Sequence, residues 1–181
     1  MGKAEYQKVL EAKKKAKTKL MGERKNSKEP LVLVFAKAKD KEMLFQLLEG
    51  FLVLPSHVVV VTDAQPGDHA KHLSGKISWM NPKDLANEKN LETYLHAADM
   101  AVLFEEPWHE IQDLMQHGVV VIGHEKSPML ENYHPNEETG NSFTFASYNP
   151  WAMFMAVVRA HETYRFPYDW MNIVRVMLKG L

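Results

Sequence analysis

Continuous apolar runs alternate with helix-period segments along most of this chain. Residues 31–36 (LVLVFA) are apolar throughout, as expected of a strand covered on both faces. Residues 41–50 place Met43, Leu44, Leu47 and Leu48 on one helical face, with Gly50 at the end. Residues 58–62 repeat the buried-strand pattern, and residues 76–79 form a weaker third run. The segment 91–97 reads as helical, with Leu91, Tyr94, Leu95 and Ala98 apolar. A strand at 100–104, a helix opening at Pro107 and closing at Gly118, and a strand at 119–122 come next. Residues 143–145 are short enough for one final strand.

Two helices are expected at the C-terminal end. Asn149 is a capping residue followed by Pro150 at the first helical position. Trp151, Phe154, Met155 and Val158 then make one stripe, and Trp170, Ile173, Val174 and Met177 make another after Pro167. Both stripes are expected to face the core. At the other end, residues 3–20 form a basic helix, and a polar linker (22–30) joins it to the first strand. Strands alternating with helices across short loops predict an α/β fold: a mostly parallel sheet with helices on both faces. The expected division is a basic helix and linker at 1–30 and a Rossmann-like domain at 31–181.

Charge is unevenly spread. Residues 1–30 carry ten Lys or Arg and four Glu, a net of +6, which leaves −7 for the remainder of a chain whose total is −1. The block around Lys13, Lys14, Lys15, Lys17 and Lys19 reads as a solvated helix face, with Tyr6, Val9, Leu10 and Leu20 docking it. A nucleic-acid contact is not expected, since little aromatic interleaving accompanies the lysines. The absence of Cys excludes disulfides, thiolate catalysis and Cys-ligated zinc. No apolar run reaches the roughly 18 residues of a membrane span, so a cytoplasmic location is expected. Nine histidines invite a metal reading. Asp68, His69 and His72 could share one turn, and His117 and His124 flank a strand, yet none forms a recognised metal motif.

The centre, AADMAVLFEEPWHEIQDLMQHGVVVI, puts Glu106 where a strand hands over to a helix, the place where open α/β sheets bind ligands. A carboxylate there can grip sugar hydroxyls, and a helix N-terminus can hold phosphate. This segment, with LVLVFAKAKDK before it and GNSFTF after it, resembles the C-terminal, nucleotide-sugar-binding half of a GT-B glycosyltransferase, closest to bacterial glycogen and starch synthases. Residues 3–20 are similar to the helix that begins that half. The closing segment with Arg159, Tyr164 and Trp170 is similar to its last helices. The resemblance implies a three-layer Rossmann-like domain that takes ADP-glucose or UDP-glucose as donor and needs no metal. It also implies an acceptor half supplied by another domain, in which case a GT-B N-terminal-type domain in another chain is a candidate partner. A glucan ligand and a homo-oligomer stay open.

The same resemblance implies roles for particular residues. Lys37 and Lys41 match the basic pair that neutralises the donor diphosphate, although the first is usually Arg. Glu106 matches the glutamate that orients the donor sugar and is the candidate catalytic residue, with Glu105 as the adjacent alternative. Asp113 fills the slot of the acid that holds ribose hydroxyls in related enzymes. Ser127 and Pro128 stand where the synthases carry a Gly-Gly turn whose amides approach the ligand. Trp108 and His109 replace small residues after Glu-Pro. Pro has no N–H to give, and bulky side chains obstruct the helix start. These departures point to a donor site that is weakened or lost. The expected function is therefore a nucleotide-sugar-binding half that is not catalytically complete alone. The alternative is a non-catalytic module of the same fold acting through protein or glycan partners.

Overall fold

The computed structural model describes residues 3–22, 28–67, 73, 76–104 and 111–181. After α1 (Lys3–Met21) come β1 (Leu31–Ala36), α2 (Lys41–Phe51), β2 (His57–Thr62) and β3 (Ile77–Met80). A single turn, α3 (Pro82–Leu85), precedes α4 (Glu88–Ala97), β4 (Met100–Leu103), α5 (Ile111–Gln116), β5 (Val120–His124) and β6 (Ser142–Phe145). The chain closes with α6 (Pro150–Tyr164) and α7 (Pro167–Lys179).

The sheet is six-stranded in the order β3-β2-β1-β4-β5-β6, and all five pairings are parallel. β1 is buried along its whole length, as its uninterrupted apolar run requires. Leu33, Val34, Phe35, Val60, Val61, Val102, Val121 and Ile122 are completely buried at the centre of the sheet. Each such side chain contributes about 1.5–3 kcal/mol by leaving water. The chain reverses its direction of travel across the sheet between β1 and β4. Their carboxyl ends therefore flank the crevice where a doubly wound fold takes its ligand.

Two packing details differ from the sequence expectation. In α6 the buried face is Met153, Ala156, Val157, Ala160 and His161, while Trp151 is 77% and Met155 58% exposed. The two candidate stripes are two positions apart, about 200° around a helix, and both are largely apolar. Alanines on the inner one permit close approach to the sheet, so that face wins. Asn149 caps α6 as expected, its side-chain oxygen accepting the Ala152 N–H at 2.9 Å. Gly50 lets α2 meet α6, since a Cβ built there would lie 2.5 Å from a ring carbon of Phe154.

The basic helix α1 packs against α4, and two of its lysines are buried rather than solvated. Lys17 Nζ donates to Asp99 Oδ2 at 2.7 Å and to the Tyr164 hydroxyl at 3.2 Å. Asp99 Oδ2 also accepts the Leu31 N–H at 2.9 Å, so one carboxylate ties α1 to the start of β1. Lys13 Nζ donates to the carbonyls of Leu95, Ala98 and His117, at the carboxyl ends of α4 and α5. A cation suits those carbonyl-rich helix ends. Burial pushes the Lys13 ammonium down to about 8, against a smaller opposing pull from Asp99. Burial also raises the Tyr164 phenol, and Asp99 adds to this. Gly118, with φ +68°, makes the left-handed turn after α5, and a Cβ there would come within 2.9 Å of Val9.

Candidate functional site

The carboxyl ends of β1, β4, β5 and β6 form one rim. Phe35 pairs with Leu103, Val102 with Ile122, and Gly123 with Thr144, and the Phe104 N–H continues the ladder to the Phe35 carbonyl at 3.1 Å. On this rim lies a cavity of about 550 Å³, within the size range of small-ligand sites. Leu103 and Phe104 wall it from β4, Ile111 from α5, and Gly123 and His124 from β5. Lys126, Ser127, Leu130 and Tyr148 complete it from the loops. A larger cavity of about 720 Å³ sits at the opposite edge, beside Pro30 and Pro55, which lead into β1 and β2. It is lined mainly by apolar groups of α1, α6 and α7. A parallel sheet does not place its ligands at that end.

Of the residues expected from the sequence, Ser127 lines the rim cavity. Lys37, half-buried, follows β1 directly, and Lys41, exposed, starts α2 with its ammonium 5.8 Å from the Phe45 ring centroid. Neither lysine lines the cavity. Asp113 is exposed on the first turn of α5, and its carbonyl meets His117 Nδ1 at 2.8 Å. Glu105, Glu106, Pro107, Trp108 and His109 lie outside the described residues, as do Asp68, His69 and His72. Among the described residues no group of three His, Asp or Glu side chains could hold a metal ion.

Among the described residues of the rim, five backbone donors are engaged within the protein. The Lys37 N–H donates to Asp40 Oδ2 at 3.3 Å, and the Ala38 N–H to Asp63 Oδ1 at 2.7 Å. At the β5 turn the Ser127 N–H donates to the His124 carbonyl at 3.0 Å, and the Glu125 N–H to the Phe145 carbonyl at 3.0 Å. The Lys126 N–H donates to His124 Nδ1 at 3.1 Å. These amides, which could otherwise approach an anion, are already satisfied within the protein. His124 stacks on Tyr148, with centroids 4.5 Å apart at 22°, and meets the edge of Phe145 at 5.7 Å. Sequence reasoning missed Asp40, Asp63 and Tyr148, and it weighed His124 only as a metal ligand. The one available signal was position: each stands within a few residues of a strand's carboxyl end.

Arg159 locks α6 onto this side of the sheet. Its guanidinium donates to the Thr144 carbonyl at 2.6 Å and to Asn132 Oδ1 at 3.0 Å. Burial lowers its pKa.

No family model matches the chain, and no curated protein matches it. Solved structures do. The catalytic domain of starch synthase IV from Arabidopsis thaliana, bound to ADP and acarbose, is 16% identical with a TM-score of 0.66, covering 96% of this chain and 39% of that one. HepE from Anabaena, in complex with UDP and glucose, is 12% identical with a TM-score of 0.64, covering 92% of this chain and 47% of that one. An apo structure of OtsA is 11% identical with a TM-score of 0.55, covering 95% of this chain and 46% of that one. These neighbours are GT-B glycosyltransferases, and the chain spans less than half the length of each. Its fold is the Rossmann-like α/β fold of GT-B glycosyltransferases.

Proposed function

We propose that this chain is the nucleotide-sugar-binding half of a glycogen- or starch-synthase-like glycosyltransferase, with a donor of the ADP-glucose or UDP-glucose type. The observation that carries this reading is the cavity of about 550 Å³ at the carboxyl ends of β4 and β5, beside the point where the strand order reverses. That is where the physics of a parallel sheet concentrates ligand-binding loops. Two of the structural neighbours hold ADP or UDP together with a sugar or sugar analogue. In this reading the chain holds and orients the donor, Glu106 is assigned the role of binding the sugar hydroxyls, and a second domain brings the acceptor.

Thermal denaturation with ADP, UDP, ADP-glucose and UDP-glucose tests it. A ligand at 100 times its Kd stabilises the folded state by about 2.7 kcal/mol, a rise of several degrees. A base-dependent rise in Tm supports a donor site, and unchanged melting with all four at millimolar concentration removes the proposal. A second reading, a non-catalytic module of the same fold, is supported by the occupied rim amides of Lys37, Ala38 and Ser127. Unchanged melting would favour it.

A further inference from the structure

We propose, on the basis of the nucleotide-sugar reading, that the ligand's diphosphate is held at the β5 turn by His124, Lys126 and Ser127, and not at the turn after β1. The first two amides of the turn after β1 are engaged from within. Asp40 and Asp63 already accept the amide hydrogens of Lys37 and Ala38, at 3.3 and 2.7 Å. A phosphate placed there would find both amides in use and the Asp40 and Asp63 carboxylates offsetting the ammonium groups of Lys37, Lys39 and Lys41.

The β5 turn offers the opposite chemistry. A backbone N–H can only donate, so the bond from Lys126 N–H leaves His124 Nδ1 bare and places the neutral ring's hydrogen on Nε2. Tyr148 stacks against the ring face at 4.5 Å and Phe145 meets it edge-on at 5.7 Å, which fixes the imidazole plane. His124, Lys126 and Ser127 all line the cavity. An imidazole N–H, an ammonium and a hydroxyl on one short turn are three donors for anionic oxygens. Glu125, the acid of this turn, is exposed and does not line the cavity. The site replaces backbone donors, whose N–H groups here turn inward, with side-chain donors.

Calorimetric titration of the whole chain with ADP, adenosine and inorganic pyrophosphate tests this. His124→Phe keeps the stack and removes the donor. It is expected to weaken ADP and pyrophosphate about tenfold or more while leaving adenosine unchanged. His124→Gln, which keeps an N–H donor, should stay within about threefold of the parent. Lys126 is exposed, so Lys126→Ala keeps the test intact even where His124→Phe does not fold; it should weaken both anions about threefold or more. Lys37→Ala should change little. A large loss in Lys37→Ala with none in His124→Phe or Lys126→Ala overturns the inference and leaves the nucleotide reading standing. Pyrophosphate binding that depends on His124, with no nucleotide bound, supports the anion site and ends the nucleotide reading. No binding of either anion at millimolar concentration ends both.

Discussion

Replacing Lys13 by Met should remove a rise of stability with pH that the parent protein shows above neutrality. Lys13 is held in the protein interior by three carbonyl groups, and burial brings its pKa from 10.5 to about 8. Below pH 8 the ammonium is charged in both the folded and unfolded chain, and the full cost of burying it is present. Between about 8 and 10.5 the folded protein releases this proton while the unfolded chain keeps it. The unfolded state then binds more protons, so stability increases with pH. At about 1.4 kcal/mol per pH unit of separation, the gain from pH 7 to pH 9.5 is about 2 kcal/mol. Neighbouring groups act outside the interval from about pH 7 to 9.5 that the experiment spans. His96, whose pKa is lowered by burial and then by His117 and Lys13, contributes below pH 6.5. Tyr164, raised by burial, lowers stability only from about pH 10 upward, where the unfolded phenol ionises. Urea denaturation of parent and Lys13→Met at pH 7 and 9.5 gives four midpoints. The parent's midpoint should gain about 1 M on the variant's between the two pH values, for a slope of about 2 kcal/mol per M. Parallel profiles would show that Lys13 is not a buried cation, and that α1 is not anchored through it.

Three further outcomes are expected from the packing. Asp99→Ala leaves Lys17 buried without its carboxylate and the Leu31 N–H without an acceptor; a loss of about 3–5 kcal/mol is expected by chemical denaturation, and a loss under about 1 kcal/mol would refute the network. Gly50→Val drives a side chain into the ring of Phe154, with an expected cost of about 1–3 kcal/mol that the double variant with Phe154→Ala should partly recover. Met153→Ala should cost about 2–5 kcal/mol and Trp151→Ser within about 0.5 kcal/mol; equal losses would return α6 to the face its aromatic residues suggest.

The central strands β1, β2 and β4 were legible because each carries an uninterrupted apolar run, whereas Ser78 interrupts β3 and Thr144 interrupts β6. Residues 31–36 match β1 residue for residue, and 58–62 fall one short of β2. α7 was legible for a related reason: Trp170, Ile173, Val174 and Met177 form its single apolar stripe, and all are buried. α6 was not, because it is apolar on two sides and the choice rests on how closely Ala156 and Ala160 approach the sheet. Lys13 and Lys17 read as surface charge because their carbonyl and carboxylate partners lie more than 80 positions away. At the rim, the resemblance brought Ser127 to the cavity wall and Lys37 to the end of β1. The occupied amides of the β1 turn were out of reach, since Asp63 arrives there from the neighbouring strand β2 and not from the turn itself. His124 acquires its fixed Nε2 hydrogen from a bond to the Lys126 amide, a local fold that composition does not reveal.

The most direct test of a ligand site at the strands' carboxyl ends is amide chemical-shift mapping of the isotope-labelled chain during titration with ADP-glucose and UDP-glucose. Shifts concentrated at Leu103, Phe104 and the turn from Gly123 to Ser127, saturating at micromolar ligand, are the expected result. Unmoved spectra at millimolar ligand, or shifts confined to Tyr164, Trp170 and the cavity at the opposite edge, would contradict it.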